Sequence, residues 1–287
     1  MFYAIFTDVS ADLSGQWALE HQLSFIPMSY SLGEEMRVCA RPEEADILKK
    51  FYDGQRSGDL TRTSQITPAQ YQEAFHETLE KGQDILYLSL SGGLSSTYES
   101  ACMAAKKLMD KYPGTTIECV DTLAATGGMD ILSERAVRNR DIGMTVKENA
   151  ENLRAATHRI RHWFLVQDLK YLQRGGRVGA VAATFGTIMQ MRPILKIDET
   201  GKLVTIGKER GNRFAVRDLL KHFSETHDEA AEDPIYVINA DAPELAEMLE
   251  HGIREIYPDA VIRHAILSPI IGAHTGPGMA AICHMGK

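Results

Sequence analysis

The sequence predicts an α/β protein in two domains, on three observations. Its 287 residues exceed the usual size of one domain. Apolar runs alternate with helical patterns through the first half, as β-α units around a mostly parallel sheet require. The second half sets a hairpin pattern among helices, which suits two layers with a mixed sheet. The expected domains are 1–155 and 156–287.

Phe2–Phe6 reads as the first strand and runs into Thr7-Asp8-Val9-Ser10. Leu23–Tyr30 reads as the second. Pro42 suits the first turn of a helix with Ala45, Leu48 and Tyr52 on one face. A loop holding Thr63 and Ser64 precedes Thr67-Pro68, a cap followed by proline at the first helical position. Tyr71, Phe75 and Leu79 continue that helix at steps of four. Asp84–Leu90 is a strand, and Ser91 to Thr97 leads from it to a helix burying Ala101, Ala105 and Leu108. Pro113-Gly114 ends the helix. Thr116–Val120 is a strand, and Asp121-Thr122 opens onto the next helix. Thr145 and Glu148 form a capping box for a polar helix reaching about Ile160, the candidate bridge between domains.

In the second half, Trp163–Val166 is a strand, and a short helix from Leu169 to Gln173 stops at Gly175-Gly176. Pro193–Ile197 and Leu203–Ile206 flank the turn Asp198-Glu199-Thr200-Gly201. Asn212–Phe223 and Glu244–Tyr257 are helical, and Ile235–Asn239, Val261–Leu267 and Met279–Cys283 are strands. Met189, Met191, Ile194 and Leu195 read as core or adaptable lining.

Hydrophobic residues make up 44% and charged residues 24%, enough to bury a core. The net charge of −8 and the absence of a long basic run argue against nucleic-acid binding. Arg159, Arg161 and His162 read as a solvated face. Cys39, Cys102, Cys119 and Cys283 form no CxxC pair, which argues against structural zinc. Met1 to Asp8 lacks the features of a signal peptide, and no apolar run approaches the ~20 residues that span a bilayer. The expectation is a cytoplasmic protein with reduced thiols and no membrane insertion.

Ligands of open α/β sheets bind beyond the carboxyl ends of the strands. Thr7, Asp8, Ser10, Ser91, Ser95, Asp121 and Thr122 fall there, and Thr63 and Ser64 could join them. Hydroxyls dominate and lysine and arginine are absent from these points. Such a set can hold an anion with neutral donors and helix N-termini, or it can simply cap helices. Gly93-Leu94-Ser95-Ser96-Thr97 approaches a G-x-S-x-G nucleophile elbow, with Thr97 in place of the last glycine. A serine hydrolase using Ser95 and His274 is the alternative reading. In Gly272 to Gly278, three glycines and Pro277 fix a sharp backbone path around His274. Gly175-Gly176-Arg177 lacks the full pattern of a phosphate-binding loop.

At these residues the sequence resembles the DegV family over its length. Thr7-Asp8-Val9-Ser10-Ala11-Asp12 resembles T-D-S-x-A-D, with Val9 for serine. Thr63-Ser64-Gln65 followed by Pro68 resembles T-S-x-P, with one extra residue. Leu94-Ser95-Ser96-Thr97-Tyr98 resembles L-S-G-T-Y, with Ser96 for glycine. Asp168-Leu169, Tyr171-Leu172 and Gly175-Gly176-Arg177 resemble D-L-x-Y-L-x-x-G-G-R, and Gly272 to Gly278 resembles G-x-H-T-G-P-G. The resemblance implies a three-layer α/β/α domain with a mostly parallel sheet, a two-layer α/β domain with a mixed sheet, and a fatty acid between them. It implies that Thr63, Ser64 and Ser95 hold the carboxylate, with His274 and Thr275 beside it, and that no metal or cofactor is needed. Some members are carrier subunits of a fatty acid kinase, working with a separate ATP-binding protein. Arg177 would then lie near the partner surface. Ser96 could add a donor or narrow the pocket.

Overall fold

The computed structural model describes residues 3–42, 45–177 and 190–287. Its first sheet is parallel throughout. β1 (Ala4–Asp8) lies between β2 (Leu23–Ile26) and β6 (Ile85–Ser89), and β7 (Ile117–Asp121) forms the edge beyond β6. β6 is buried at every position, as a strand covered on both faces must be. Alternation sends Phe6 to one face and Tyr3 to the other. Phe6 meets Phe75 of α3 (Pro68–Glu80) edge-on, with ring centroids 5.1 Å apart. Tyr3 accepts a 2.7 Å hydrogen bond from Asn149 of α6 (Val146–Thr157) on the other side. α4 (Thr97–Lys111) packs beside α3, and α5 (Gly127–Asp141) packs beside α6, completing three layers.

The second sheet is mixed. Its spatial order is β10 (Leu203–Arg210), β9 (Met191–Ile197), β8 (Ile160–Leu165), β13 (Ala280–Met285), β11 (Ile235–Asn239) and β12 (Ile262–Ile266). Only β11 and β12 run parallel. α8 (Asn212–Thr226) and α9 (Pro243–Ile256) cover one face, burying Val216, Phe223 and Leu249 against Trp163, Val237 and Ile282. The other face carries Tyr236 and Cys283 and meets α5. A Cβ on Gly127 would sit 2.7 Å from Tyr236 Cβ, and one on Gly128 would sit 2.1 Å from His162 Nε2. This glycine pair sets how closely α5 lies on the second sheet. With a sheet on either side, α5 is buried from Gly127 through Glu134, unlike a surface helix with one apolar stripe.

Several sequence expectations need correction. Leu23–Tyr30 is not one strand: Pro27 separates β2 from β3 (Met28–Leu32), which joins a different sheet. β3 pairs with β4 (Glu35–Cys39) and β5 (Thr61–Ser64), so Thr63 and Ser64 belong to a strand rather than a loop. α2 (Ala45–Ser57) buries Leu48, Phe51 and Tyr52, while Ala45 is exposed. α6 ends at Thr157, and Ile160 already opens β8. His162 is not on a solvated face but buried, because it shares the inward side of β8 with Ile160 and Phe164. The sharp path read for Gly272 to Gly278 begins only after His274, at Gly276. His274 lies in the last turn of α10 (Pro269–Thr275), ended by Gly276 at φ 73°. Both capping boxes form, at Thr67 with Gln70 and at Thr145 with Glu148. The Asp198–Gly201 turn closes as expected, with Gly201 N–H donating to Asp198 O at 2.9 Å. Ile194 and Leu195 are core, and Met191 is partly buried. Phe2 and Met189 lie outside the described residues. Among the described residues no helix is long and apolar enough to cross a membrane, and no cluster of His, Cys, Asp and Glu could hold a metal.

Candidate functional site

A cavity of about 240 Å³ opens where β5, the segment after β6, α10 and the inner face of the second sheet converge. Most of its wall is apolar, including Leu90, Phe164, Leu172, Ile197, Ile270 and Met279. Its polar lining residues fall into two groups.

The first group contains Thr63, Ser64, Gln65, Ser95, Arg177, His274 and Thr275. Thr63 Oγ1 lies 2.8 Å from His274 Nε2. Nδ1 of the same ring is buried without a hydrogen-bond partner among the described residues. Burial, and secondarily the Arg177 charge, lowers the His274 pKa to about 4, so the ring is neutral near pH 7. Gly175 leaves room for it: a Cβ there would lie 2.2 Å from Nδ1. Ser95 Oγ is 2.8 Å from Thr97 Oγ1 and accepts from Thr97 N–H at 3.2 Å, tying it to the start of α4. Thr275 is buried and donates to Ile271 O at 3.4 Å, and Ser64 is an exposed lining residue.

Arg177 reaches this group through a helix stop. α7 (Lys170–Arg174) ends with Gly176 N–H on Gln173 O and Arg177 N–H on Leu172 O, both 3.0 Å, with Gly176 at φ 68°. This is the Schellman arrangement, and it requires the left-handed conformation that glycine supplies. Arg177, half-buried, turns back and donates from Nε to Leu94 O at 3.1 Å and from Nη1 to Gly175 O. A cation therefore stands beside the hydroxyls, where the sequence placed none.

The second group was missed in the sequence. Thr126, His162 and Cys283 line the cavity where α5 begins against β8 and β13. His162 Nε2 lies 3.2 Å from Ala125 O, and Thr126 hydrogen-bonds Cys283 Sγ. Burial lowers the His162 pKa to about 4 and pushes the Cys283 thiol up. Period-two alternation from Ile160 was the signal that could have turned His162 inward.

Other strand-end residues form the scaffold and leave the cavity alone. Asp8 accepts from Ser10 N–H at 3.0 Å, Tyr87 Oη at 2.8 Å and Leu90 N–H at 2.9 Å, wholly buried. Thr7 donates to Leu88 O, and Thr122 to Ser89 O. Ser91 donates to Gly201 O at 2.7 Å, which fastens the β9–β10 turn to the segment after β6. Asp121 accepts from Gly92 and Leu123 N–H. Ser96 is exposed, at φ −73°, and outside the lining, so it neither narrows the cavity nor needs to be glycine.

Residues 3–287 match the family described as "Uncharacterised protein, DegV family". A DegV domain-containing protein of Streptococcus pyogenes serotype M3 is 33% identical over 290 residues, spanning 100% of this chain and 99% of its own. A solved DegV lipid binding protein from Thermotoga maritima has a TM-score of 0.87 at 26% identity, covering 100% of this chain and 99% of that one. A second T. maritima protein, whose structure is described as revealing a fatty acid binding function, has a TM-score of 0.85 at 25% identity and covers 100% of both chains. With its parallel and mixed sheets, its order of motifs and these matches, the chain belongs to the DegV family.

Proposed function

We propose that this protein binds a long-chain fatty acid in the cavity, with the carboxylate held by Thr63, Ser64, Ser95, His274 and Thr275. The supporting observation is the orphaned Nδ1 of His274 at the polar side of an apolar wall. Leaving a buried polar atom unpaired costs about 1–3 kcal/mol. A carboxylate oxygen supplies the partner if Nε2 accepts from Thr63 and Nδ1 carries the proton. Each buried methylene adds about 0.8 kcal/mol, so the tail supplies affinity and the head supplies orientation. The two T. maritima proteins, described as lipid- and fatty-acid-binding, support the ligand class. The domains, 1–155 and 156–287, would wall the tail between them in a cytoplasmic carrier. No metal or cofactor enters this reading.

The resemblance extends the proposal to a partner. A separate ATP-binding fatty acid kinase would phosphorylate the presented carboxylate, with Arg177 at the contact. The alternative serine hydrolase has less support. Ser95 Oγ is engaged by Thr97, His274 Nε2 by Thr63, and among the described residues no carboxylate orients Nδ1. Ser95 also lacks the positive φ of a strained elbow.

Native mass spectrometry of the purified protein should show added mass of roughly 250–300 Da, the size of a chain with enough methylenes to bind tightly. Protein that is empty and takes up no added fatty acid would overturn the proposal. Ser95→Ala should weaken fatty acid binding by about 10- to 100-fold, the loss of a charge-assisted hydrogen bond. Labelling of Ser95 by a fluorophosphonate, with ester turnover, would instead establish the hydrolase.

A further inference from the structure

The cavity reaches a row of side chains that crosses the inner face of the second sheet. Leu203 stands opposite Ile197 in the β9–β10 pair, and His162 stands opposite Cys283 in the β8–β13 pair. Trp163 opposite Lys196 and Phe164 opposite Leu195 carry the register between β8 and β9 on toward His162 and Ile197. Leu203, Ile197, His162 and Cys283 all line the cavity. The first polar group lies at the other end, since Thr275 precedes β13 and the wall then runs through Met279 and Ala281 to Cys283. Beyond the row, Ile160 lines a separate outer groove with Leu123, His158, Asp198 and Thr200. Ile197 and His162 are shared by the cavity and this groove, so they form the partition between them.

We propose that Ile197, braced by His162, is the stop for the far end of the fatty acid chain and sets the chain length that the protein selects. The assignment rests on the cavity being a fatty acid site. His162 is fixed from one side, with Nε2 3.2 Å from Ala125 O and its ring packed over Gly128. Ile197 is fixed from the other. It leads into the turn in which Asp198 N–H donates to Lys202 O at 2.8 Å, and Ser91 Oγ donates to Gly201 O at 2.7 Å. The tip of the hairpin is thereby tied to the segment after β6 and cannot swing freely from the chain. The cavity's volume of about 240 Å³ lies below the roughly 300–1,000 Å³ of pockets that enclose drug-sized ligands, so a long chain fills it and its last carbons press on this row. Beyond the row the groove carries Arg161, Lys196, Asp198 and Glu199. A methylene there stays beside charged groups and water and gains little, whereas each methylene inside the apolar wall gains about fourfold in affinity. Affinity should therefore climb with chain length until the chain reaches Ile197, and fall beyond it.

The test measures dissociation constants of the delipidated full-length protein for laurate, myristate, palmitate, stearate and arachidate. The native protein should show an optimum within the series. Ile197→Ala should move that optimum to a longer acid, by about two carbons for the room that the truncated side chain leaves. Ile197→Phe should move it to a shorter one. If the alanine variant unfolds, Ile197→Val should still favour the next longer acid over the native optimum more than the native protein does. An optimum that stays in place, or affinities that change by one common factor across the series, would overturn the stop and leave the cavity a fatty acid site. A native protein that binds none of the five acids would overturn the reading of the cavity, and the stop with it.

Discussion

Thr63 and His274, in the first polar group of the cavity, come from a four-residue strand and the last turn of a seven-residue helix. His162 and Thr126, in the second, are held between the six-stranded sheet and α5. Both histidines are pushed to about 4 by burial, yet their settings differ. His162 is wedged over Gly128 and bonded to Ala125 O, whereas His274 keeps a nitrogen without a partner among the described residues. The comparison separates a group whose ring is fixed within the core from one that keeps an unpaired polar atom on the cavity wall among the described residues. Short elements at a sheet edge can present side chains without disturbing the layers behind them.

The same small change in the two places should break different properties. Gly128→Ala drives a Cβ to 2.1 Å from His162 Nε2 and 2.9 Å from Ile160 Cγ2, in a helix walled by two sheets. It should cost about 1–3 kcal/mol of stability, measured by denaturant unfolding. Gly175 has φ −74°, which alanine adopts freely, so Gly175→Ala should displace His274 with little change in stability. A fatty acid affinity reduced about tenfold or more, one lost hydrogen bond, is the expected reading. If Gly175→Ala destabilises the fold as much as Gly128→Ala, the distinction fails.

Arg177→Ala tests how much of the first group serves a partner. Loss of the bond to Leu94 O should loosen the segment carrying Ser95 and weaken fatty acid binding several-fold, since one hydrogen bond contributes about 0.5–1.5 kcal/mol. If Arg177 also docks a kinase, acyl-phosphate formation at saturating fatty acid should fall much further than lipid content does. Equal losses would confine Arg177 to bridging α7 and the Ser95 segment.

The smallest effect is one of pH. A histidine whose pKa is lowered from the ordinary 6.5 to about 4 binds fewer protons folded than unfolded. Its contribution is therefore complete above about 6.5 and is lost as the pH falls toward 4. Asp12, raised to about 7 by burial, acts oppositely: its contribution is complete below the ordinary 3.8 and is lost as the pH rises through about 7. The histidine term should shrink in His162→Phe, followed by thermal unfolding between pH 7 and 5. A bound carboxylate should protect only the first group, by restoring a partner to His274. An acid dependence identical with and without fatty acid would remove His274 from the head-group site.

What the sequence by itself determined was the regular and the local. The run Ile85–Ser89 is apolar enough to be a central strand, and the boxes at Thr67 and Thr145 satisfy backbone N–H groups within one turn. The ordered motifs also named Thr63, Ser64, Ser95, His274, Thr275 and Arg177, and all six line one cavity. The tertiary structure alone decided which neighbours those residues have. Asp8 and Ser91 share the composition of a binding site, but their partners, Tyr87, Leu90 and Gly201, lie far along the chain and spend their polar atoms on the scaffold. Pro27 divides what reads as one strand because the following residues find better pairing with β4 and β5 than with the parallel sheet. His162 turned inward because strand alternation is read only once the register of β8 beside β13 is fixed. Arg177 reached Leu94 through a left-handed glycine, a backbone turn that composition does not encode. Hydrogen bonds and alternation act over a few residues and are written in order along the chain. Burial and the loss of a partner are properties of packed surfaces, and they exist only after the layers close.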